Sequence, residues 1–260
     1  MSATIDYLLH LADNAVVLGQ RDAEWCGHGP ILEEDLALAN VSLDLIGQAR
    51  LLYQRAAELK GDDTTEDQLA YFRDSQAFRN YTLLELPHHG ALVGYAVADR
   101  DYATTIVRNF LYSALMVHVW DALQTSADSE LAGIAAKSLK EATYHLHHSR
   151  DWLVRMGDGT DESHARAQAA VNHLLPYTEE FWTVSPAETA AVEAGVGVDV
   201  RTLRAAWDAL VNDALAEATL TRPQVRGYVP QGKVGLHSEH LGFLLAEMQS
   251  LARAHPDGCW

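Results

Sequence analysis

From Leu32 to Leu59 apolar residues return every third or fourth position, at Leu36, Ala39, Leu43, Ile46, Ala49, Leu52, Ala56 and Leu59. With 3.6 residues per turn, that spacing draws one continuous stripe along a helix, and Gly61 just beyond it supplies a stop. At 1.5 Å per residue the helix is about 40 Å long. The same period predicts helices at Ala3 to Arg21, Gln68 to Leu84, Asp101 to Thr125, Leu131 to Met156, His164 to Phe181, Val200 to Ala218 and His237 to Ala254. Runs alternating with period two are almost absent, so the chain is expected to be all-α. Breakers fall between these segments, at Gly27 to Pro30, Gly61 to Asp63, Pro87 to Gly90, Gly157 to Gly159, Gly195 to Gly197 and Gly227 to Gly235. None is long enough for an interdomain linker, so residues 1–260 are expected to form a single domain. Pro176 should kink or end the sixth segment, and Asp199 has the chemistry of an N-cap.

Polar residues interrupt the apolar helices in a pattern that bears on chemistry. Asn40, Asp44 and Gln48 line up at i, i+4 and i+8. A carboxylate in a helix wrapped by neighbours costs several kcal/mol unless it meets a polar partner, so Asp44 should face one or reach an interface. A second strip holds Glu141, His145 and His148 at i, i+4 and i+7, with Tyr144 beside them. On spacing alone these three could bind one metal; a buried hydrogen-bonded network is the alternative. Di-iron carboxylate bundles use Glu-x-x-His pairs, whose i, i+3 spacing aims both ligands inward at one height. Here the corresponding strings are Asp44-Leu45-Ile46-Gly47 and Glu141-Ala142-Thr143-Tyr144, with glycine and tyrosine where histidine is needed. His145 is one position out of register, turned by about 100°. Asp13, 31 positions before Asp44, is either a vestigial ligand facing it or a solvated or capping aspartate. The helix from Asp101 shows Asn109, Phe110, Tyr112 and Ser113 but no further carboxylate until Asp121, so one set of acidic ligands is missing.

His237-Ser238-Glu239-His240 offers an i, i+3 histidine pair at a helix start, where Ser238 and Glu239 serve equally as capping residues. His88 and His89 read as a loop feature, His10 and His118 as core or interface histidines. There is no Gly-x-Ser-x-Gly elbow, no placed cysteine–histidine pair and no phosphate-binding glycine loop, and Gly232-Lys233-Val234-Gly235 is too short to mean anything by itself. The tryptophans on or beside helices read as core or interface anchors.

At 260 residues and 48% hydrophobic content the chain can bury a sizeable core without disulfides. Nineteen Lys and Arg against thirty-six Asp and Glu give a net charge of −17, which repels phosphate backbones and anionic membrane surfaces. Nucleic-acid and membrane partners are therefore not expected. No apolar run has the length of a membrane span and Met1 to Tyr7 carries no basic cluster, so a soluble, cytoplasmic protein is expected. Cys26 and Cys259 lie near opposite ends and make neither a disulfide framework nor a metal-ligand spacing.

Several strings together resemble one family. They include Glu24-Trp25-Cys26-Gly27-His28, Asp35-Leu36-Ala37-Leu38-Ala39-Asn40, Leu43-Asp44-Leu45, Gly47-Gln48-Ala49-Arg50, Lys140-Glu141-Ala142 with Tyr144-His145-Leu146, and Gly159-Thr160-Asp161. Arg201 to Trp207, Gly235 to Gly242, Leu245 to Gln249 and Trp260 continue the likeness. The chain resembles the structural subunit of the phenylacetyl-CoA epoxidase complex, the PaaC-type (also called PaaI-type) family, with Gln68 to Asp99 as the stretch that departs. The resemblance implies a ferritin-like helical bundle with additional C-terminal helices. It implies pairing with a homologous di-iron catalytic subunit, beside a small bridging subunit and a reductase carrying FAD and an iron–sulfur cluster. The complex so implied makes the ring 1,2-epoxide of phenylacetyl-CoA with dioxygen and NADPH-derived electrons in aerobic phenylacetate degradation. It implies no cofactor and no catalytic residue in this chain, and leaves Asp13, Asp44, Gly47, Gln48, Glu141, Tyr144 and His145 as vestigial di-iron positions or a polar core replacing the metal. A homodimer stays open as a further association. The alternative from the residues alone is an active di-iron oxygenase or oxidase using Glu141, His145, His148 and Asp13 or Asp44 in an atypical ligand set.

Overall fold

The computed structural model describes residues 3–90, 100–224, 227 and 229–258; Cys259 and Trp260 lie outside these. The described backbone forms ten α-helices and no strand: α1 (Ala3–Ala23), α2 (Leu32–Lys60), α3 (Glu66–Tyr71), α4 (Thr82–Glu85), α5 (Tyr102–Leu123), α6 (Ser129–Gly157), α7 (Asp161–Leu174), α8 (Pro186–Glu193), α9 (Arg204–Glu217) and α10 (Glu239–Ala254). Among the described residues no helix is long and apolar enough to cross a membrane. The chain divides into two compact units, Met1–Leu86 with Ser185–Gly197 and Pro230–Trp260, and Pro87–Val184 with Val198–Val229.

Each unit is built on one long helical hairpin, α1–α2 in the first and α5–α6 in the second, the repeated element of a ferritin-like bundle. The expected all-α, ferritin-like class is the class observed. In the first unit α1 is buried along most of its length and runs antiparallel to α2, and α3, α4, α8 and α10 pack around this pair. In the second, α5 is apolar around nearly its whole circumference and is enclosed accordingly by α6, α7 and α9. Trp207 of α9 anchors that core, fully buried, with its indole N–H donating to the Leu111 carbonyl at 3.1 Å.

Local signals explain most boundaries. Gly61 caps α2 in the left-handed region (φ 67°), its N–H reaching the Ala57 and Glu58 carbonyls. Asp199 caps the turn into α9 by accepting from the Arg201 N–H, as its position predicts. Pro176 ends the α-helical geometry at Leu174, after which Leu175–Trp182 continues as a 3-10 helix.

Three features depart from expectation, each for a physical reason. The helix expected over Gln68 to Leu84 breaks after Tyr71. Beyond a short 3-10 turn at Ser75–Ala77, residues 72–81 are held by side chains of α1 and α10, and the polar string Arg73-Asp74-Ser75-Gln76 offers no apolar face to keep a helix packed. Helix α8 forms where apolar periodicity predicts none. Ser185-Pro186-Ala187-Glu188 writes a capping box with proline at the first position, and both halves of the box are made. The apolar stripe on α2 is only partly the buried face. Leu38, Val41, Leu45, Leu52, Tyr53 and Ala56 point inward, whereas Leu36, Leu43 and Ile46 are 56%, 67% and 38% exposed. The first half of α2 is apolar on most of its circumference, so periodicity alone does not choose the side that α1 covers.

Candidate functional site

The densest polar constellation lies in the first unit, where α1 turns His10, Asp13, Asn14 and Arg21 onto the irregular segment 72–86. Asp13 is fully buried. Its Oδ1 accepts from the Tyr53 hydroxyl at 2.6 Å and from Arg73 Nη2, and its Oδ2 accepts from Arg73 Nη1 at 3.2 Å and the Arg79 backbone N–H at 2.8 Å. Burial works against the Arg73 charge, but Asp13 and Tyr53 outweigh it and hold the guanidinium pKa above its usual value. Burial and the Asp13 charge push the Tyr53 phenol well above its ordinary range, so it stays a donor. His10 Nδ1–H donates to the Arg79 carbonyl at 2.7 Å, and its Nε2 accepts from Asn14 Nδ2 at 3.4 Å. Asn14 Oδ1 takes the Tyr81 N–H at 2.7 Å, and Arg21 donates twice to the Glu85 carbonyl. These contacts fix His10 as the neutral Nδ1–H tautomer, and burial lowers its pKa in the same sense.

Two buried ion pairs close the constellation from the far end of the chain. Glu85, fully buried, accepts from Asn80 Nδ2 at 2.9 Å, His237 Nδ1 at 2.9 Å and the Ser238 N–H at 2.5 Å. His237 Nε2 lies 3.0 Å from the Phe78 carbonyl, so both ring nitrogens lie against oxygens. Ser238 caps α10, and the expected His237–His240 pair does not form a site: His237 precedes the helix and is spent on Glu85 and Phe78. Lys233 is 5% exposed, with Nζ 2.9 and 3.1 Å from the two oxygens of Glu188. Burial alone would raise the Glu188 carboxyl, yet the His10 ring when charged, Lys233 and the Ser185 N–H together hold it below its usual range. The short string Gly232 to Gly235, without meaning as a motif, is the 3-10 turn that delivers this lysine. A side chain at Gly232 would collide with the Asn80 carbonyl, its Cβ only 2.3 Å away, so the turn seats against the segment only as glycine.

The metal-type positions fare differently. The α1–α2 register is fixed by Gly19, which lies against Ser42 and Leu45, and by Asp13 on Tyr53. That register sets Asp44 near the level of residue 21, about 12 Å along the helix from Asp13, so the two do not face each other. The spacing argument fails because α2 begins well past the end of α1: with Gly19 against Ser42 and Leu45, the first two turns of α2 run beyond Ala23 before the two helices come alongside. Asp44 is half-buried, Asn40 exposed and Gln48 buried; Gly47 is half-buried, and a Cβ there would meet nothing within 4 Å.

On α6, Glu141 is half-buried with Lys137 at 3.6 Å, His145 is buried, and Tyr144 is 53% exposed and stacked on His148 at 6.3 Å. On α5, Asn109 and Ser113 are buried where a carboxylate would be needed. His88 is buried, not a plain loop residue, with its Nδ1 2.7 Å from Thr105 Oγ1 and 3.0 Å from Arg108 Nη2.

A di-iron centre in such a bundle asks for four carboxylates and two histidines turned inward. Among the described residues no three His, Cys, Asp or Glu side chains gather in a geometry that holds a metal. Asp13 has its oxygens filled by protein donors, Gly47 has no side chain to offer, and Tyr144 turns toward solvent. The residues present do not fit the group.

Residues 1–260 match the family described as phenylacetic acid catabolic protein. The chain belongs to this family. Within the phenylacetic acid catabolic proteins it is similar to a subunit of the 1,2-phenylacetyl-CoA epoxidase of Escherichia coli (strain K12), with 47% identity over 260 residues covering 100% of both chains.

Proposed function

We propose that the chain is the non-catalytic, structural subunit of a ring 1,2-phenylacetyl-CoA epoxidase complex, and that it pairs with and stabilises a homologous di-iron catalytic subunit in aerobic phenylacetate degradation. The observation that carries this reading is the state of Asp13. The buried carboxylate of α1 is closed by Arg73, Tyr53 and the Arg79 N–H, so the helix position from which a bundle would present a ligand holds a backbone segment in place. Gly47 and Tyr144 leave the Glu-x-x-His pattern without its histidines. The full-length similarity to an epoxidase subunit supplies the pathway.

On this reading the di-iron group sits in the partner and supplies the oxygen chemistry there. The reductase, with FAD and an iron–sulfur cluster, brings electrons from NADPH, and a small bridging subunit joins the assembly, which is cytoplasmic. This chain contributes a rigid helical surface. The test is metal analysis of the purified chain together with epoxidation assays of the catalytic subunit with and without it. The expected result is no stoichiometric iron in this chain, and a catalytic subunit that loses solubility and turnover when the chain is omitted. Stoichiometric iron bound by this chain alone, or full turnover without it, would overturn the proposal.

A further inference from the structure

The outward side of α2 is a coiled-coil seam that the described residues leave open to solvent. Leu32, Leu36, Ala39, Leu43 and Ile46 follow each other at steps of four, three, four and three, the spacing by which two helices interlock side chains along a shared line. Leu32, Leu36 and Leu43 are 72%, 56% and 67% exposed, which is unusual for leucines aligned on one helix. Gly47, one turn beyond Leu43 and beside the line, is a position where a Cβ would meet nothing within 4 Å, leaving room for an incoming backbone. This is a geometry for a long helix laid alongside, and it differs from the scattered single apolar residues that any surface carries.

Charge decides which helix. Residues 32–47 hold Glu33, Glu34, Asp35 and Asp44, and the first cation further along the line, Arg50, is paired with Glu66 at 3.3 Å, within a chain of net charge −17. A second copy set antiparallel on the seam, with Leu36 against Leu43, brings Asp35 of one copy beside Asp44 of the other. Set parallel, it brings Glu33 beside Glu33. Both arrangements are repulsive. We infer that α2 docks through Leu32, Leu36, Leu43 and Gly47 onto a long helix of another subunit, one whose apolar seam is bordered by basic side chains. This rests on the pairing proposed above, and it names the face that makes it.

The experiment uses the full chain and the di-iron catalytic subunit, co-expressed with a tag on the latter. Co-purification and titration binding are compared for wild type, the pair Leu36→Glu/Leu43→Glu, and the pair Phe243→Glu/Leu251→Glu, which alters exposed apolar residues of α10 instead. The expected result is at least about 100-fold weaker binding for the α2 pair, since two carboxylates would lie in the desolvated centre of the contact. Unchanged melting and helicity of that variant alone and wild-type binding by the α10 pair complete the expectation. Glu33→Lys should weaken binding several-fold and reduce its dependence on salt. Wild-type binding by the α2 pair overturns the seam and leaves the pairing standing. Failure of the wild-type chain to bind overturns both. A wild-type dimer that the α2 pair abolishes overturns the choice of occupant.

Discussion

Helices α1 and α6 carry similar chemistry and use it in opposite ways. On α1, His10, Asp13, Asn14 and Arg21 are all buried, and every one of them reaches a backbone group of the segment between Arg73 and Glu85. On α6, the strip from Glu141 to His148 alternates between interior and solvent. His145 is buried, Tyr144 is 53% exposed, and Glu141 pairs with a lysine on its own helix. The difference shows that a row of acids and histidines at helical spacing does not declare a site. What decides is whether a segment short of regular hydrogen bonds lies opposite, because such a segment takes up polar side chains as surrogate backbone partners.

The contrast predicts very unequal mutational costs. Asp13→Ala should be the most damaging, lowering unfolding free energy by about 4 kcal/mol in urea titration, because it strands the Arg73 charge and the Arg79 N–H together. A loss below about 1 kcal/mol would mean that the segment is held mainly by packing. Lys233→Met should cost about 3 kcal/mol by leaving Glu188 unpaired, and adding Glu188→Gln should recover much of it. Additive losses in that double variant would argue against a direct pair.

Acid should act through α1 next. Burial lowers the His10 pKa, so the unfolded chain binds this proton first, and the stability His10 contributes is present above about pH 6.5 and lost as pH falls through its lower folded value. The Glu188 pKa is likewise depressed, so its contribution is present above about pH 4.5 and disappears below. Thermal unfolding across this range should show two successive losses. His10→Asn, which can still donate to Arg79, should erase the first, and Glu188→Gln the second. At the small end, Tyr144→Ala on α6 should change stability by less than about 0.5 kcal/mol, as an exposed residue whose ring contacts are the looser ones to His145 and His148, at 6.2 and 6.3 Å.

The helices are legible in the sequence where period and caps agree. The stripe and Gly61 mark α2, Pro176 marks the end of α7, and Asp199 marks the turn before α9. The polar site is not legible, because its logic is tertiary. Nothing local to Asp13 indicates that Arg73 and Arg79 will meet it, and Lys233 lies in a turn of unremarkable composition 45 positions from Glu188. Two local signals do carry information. Ser185-Pro186-Ala187-Glu188 spells a helix start, and the polar run after Tyr71 contradicts a continuous helix. The absence of the Glu-x-x-His histidines is readable directly, since it depends only on residue identity at fixed spacing.

The first unit is assembled from three separated stretches, and its Glu85–His237 contact spans 152 positions. On a ribosome adding residues at 5–20 per second, Glu85 therefore emerges roughly 8 to 30 s before the ring that meets it. Every residue of the second unit up to Val229 is synthesised in that interval. The unit that starts first is thus the last to be completed, and its order of birth is the reverse of its order of closure. During that wait the Arg73–Glu85 segment has its α1 partners but not Lys233, His237 or Gln249, so it is held from one side only.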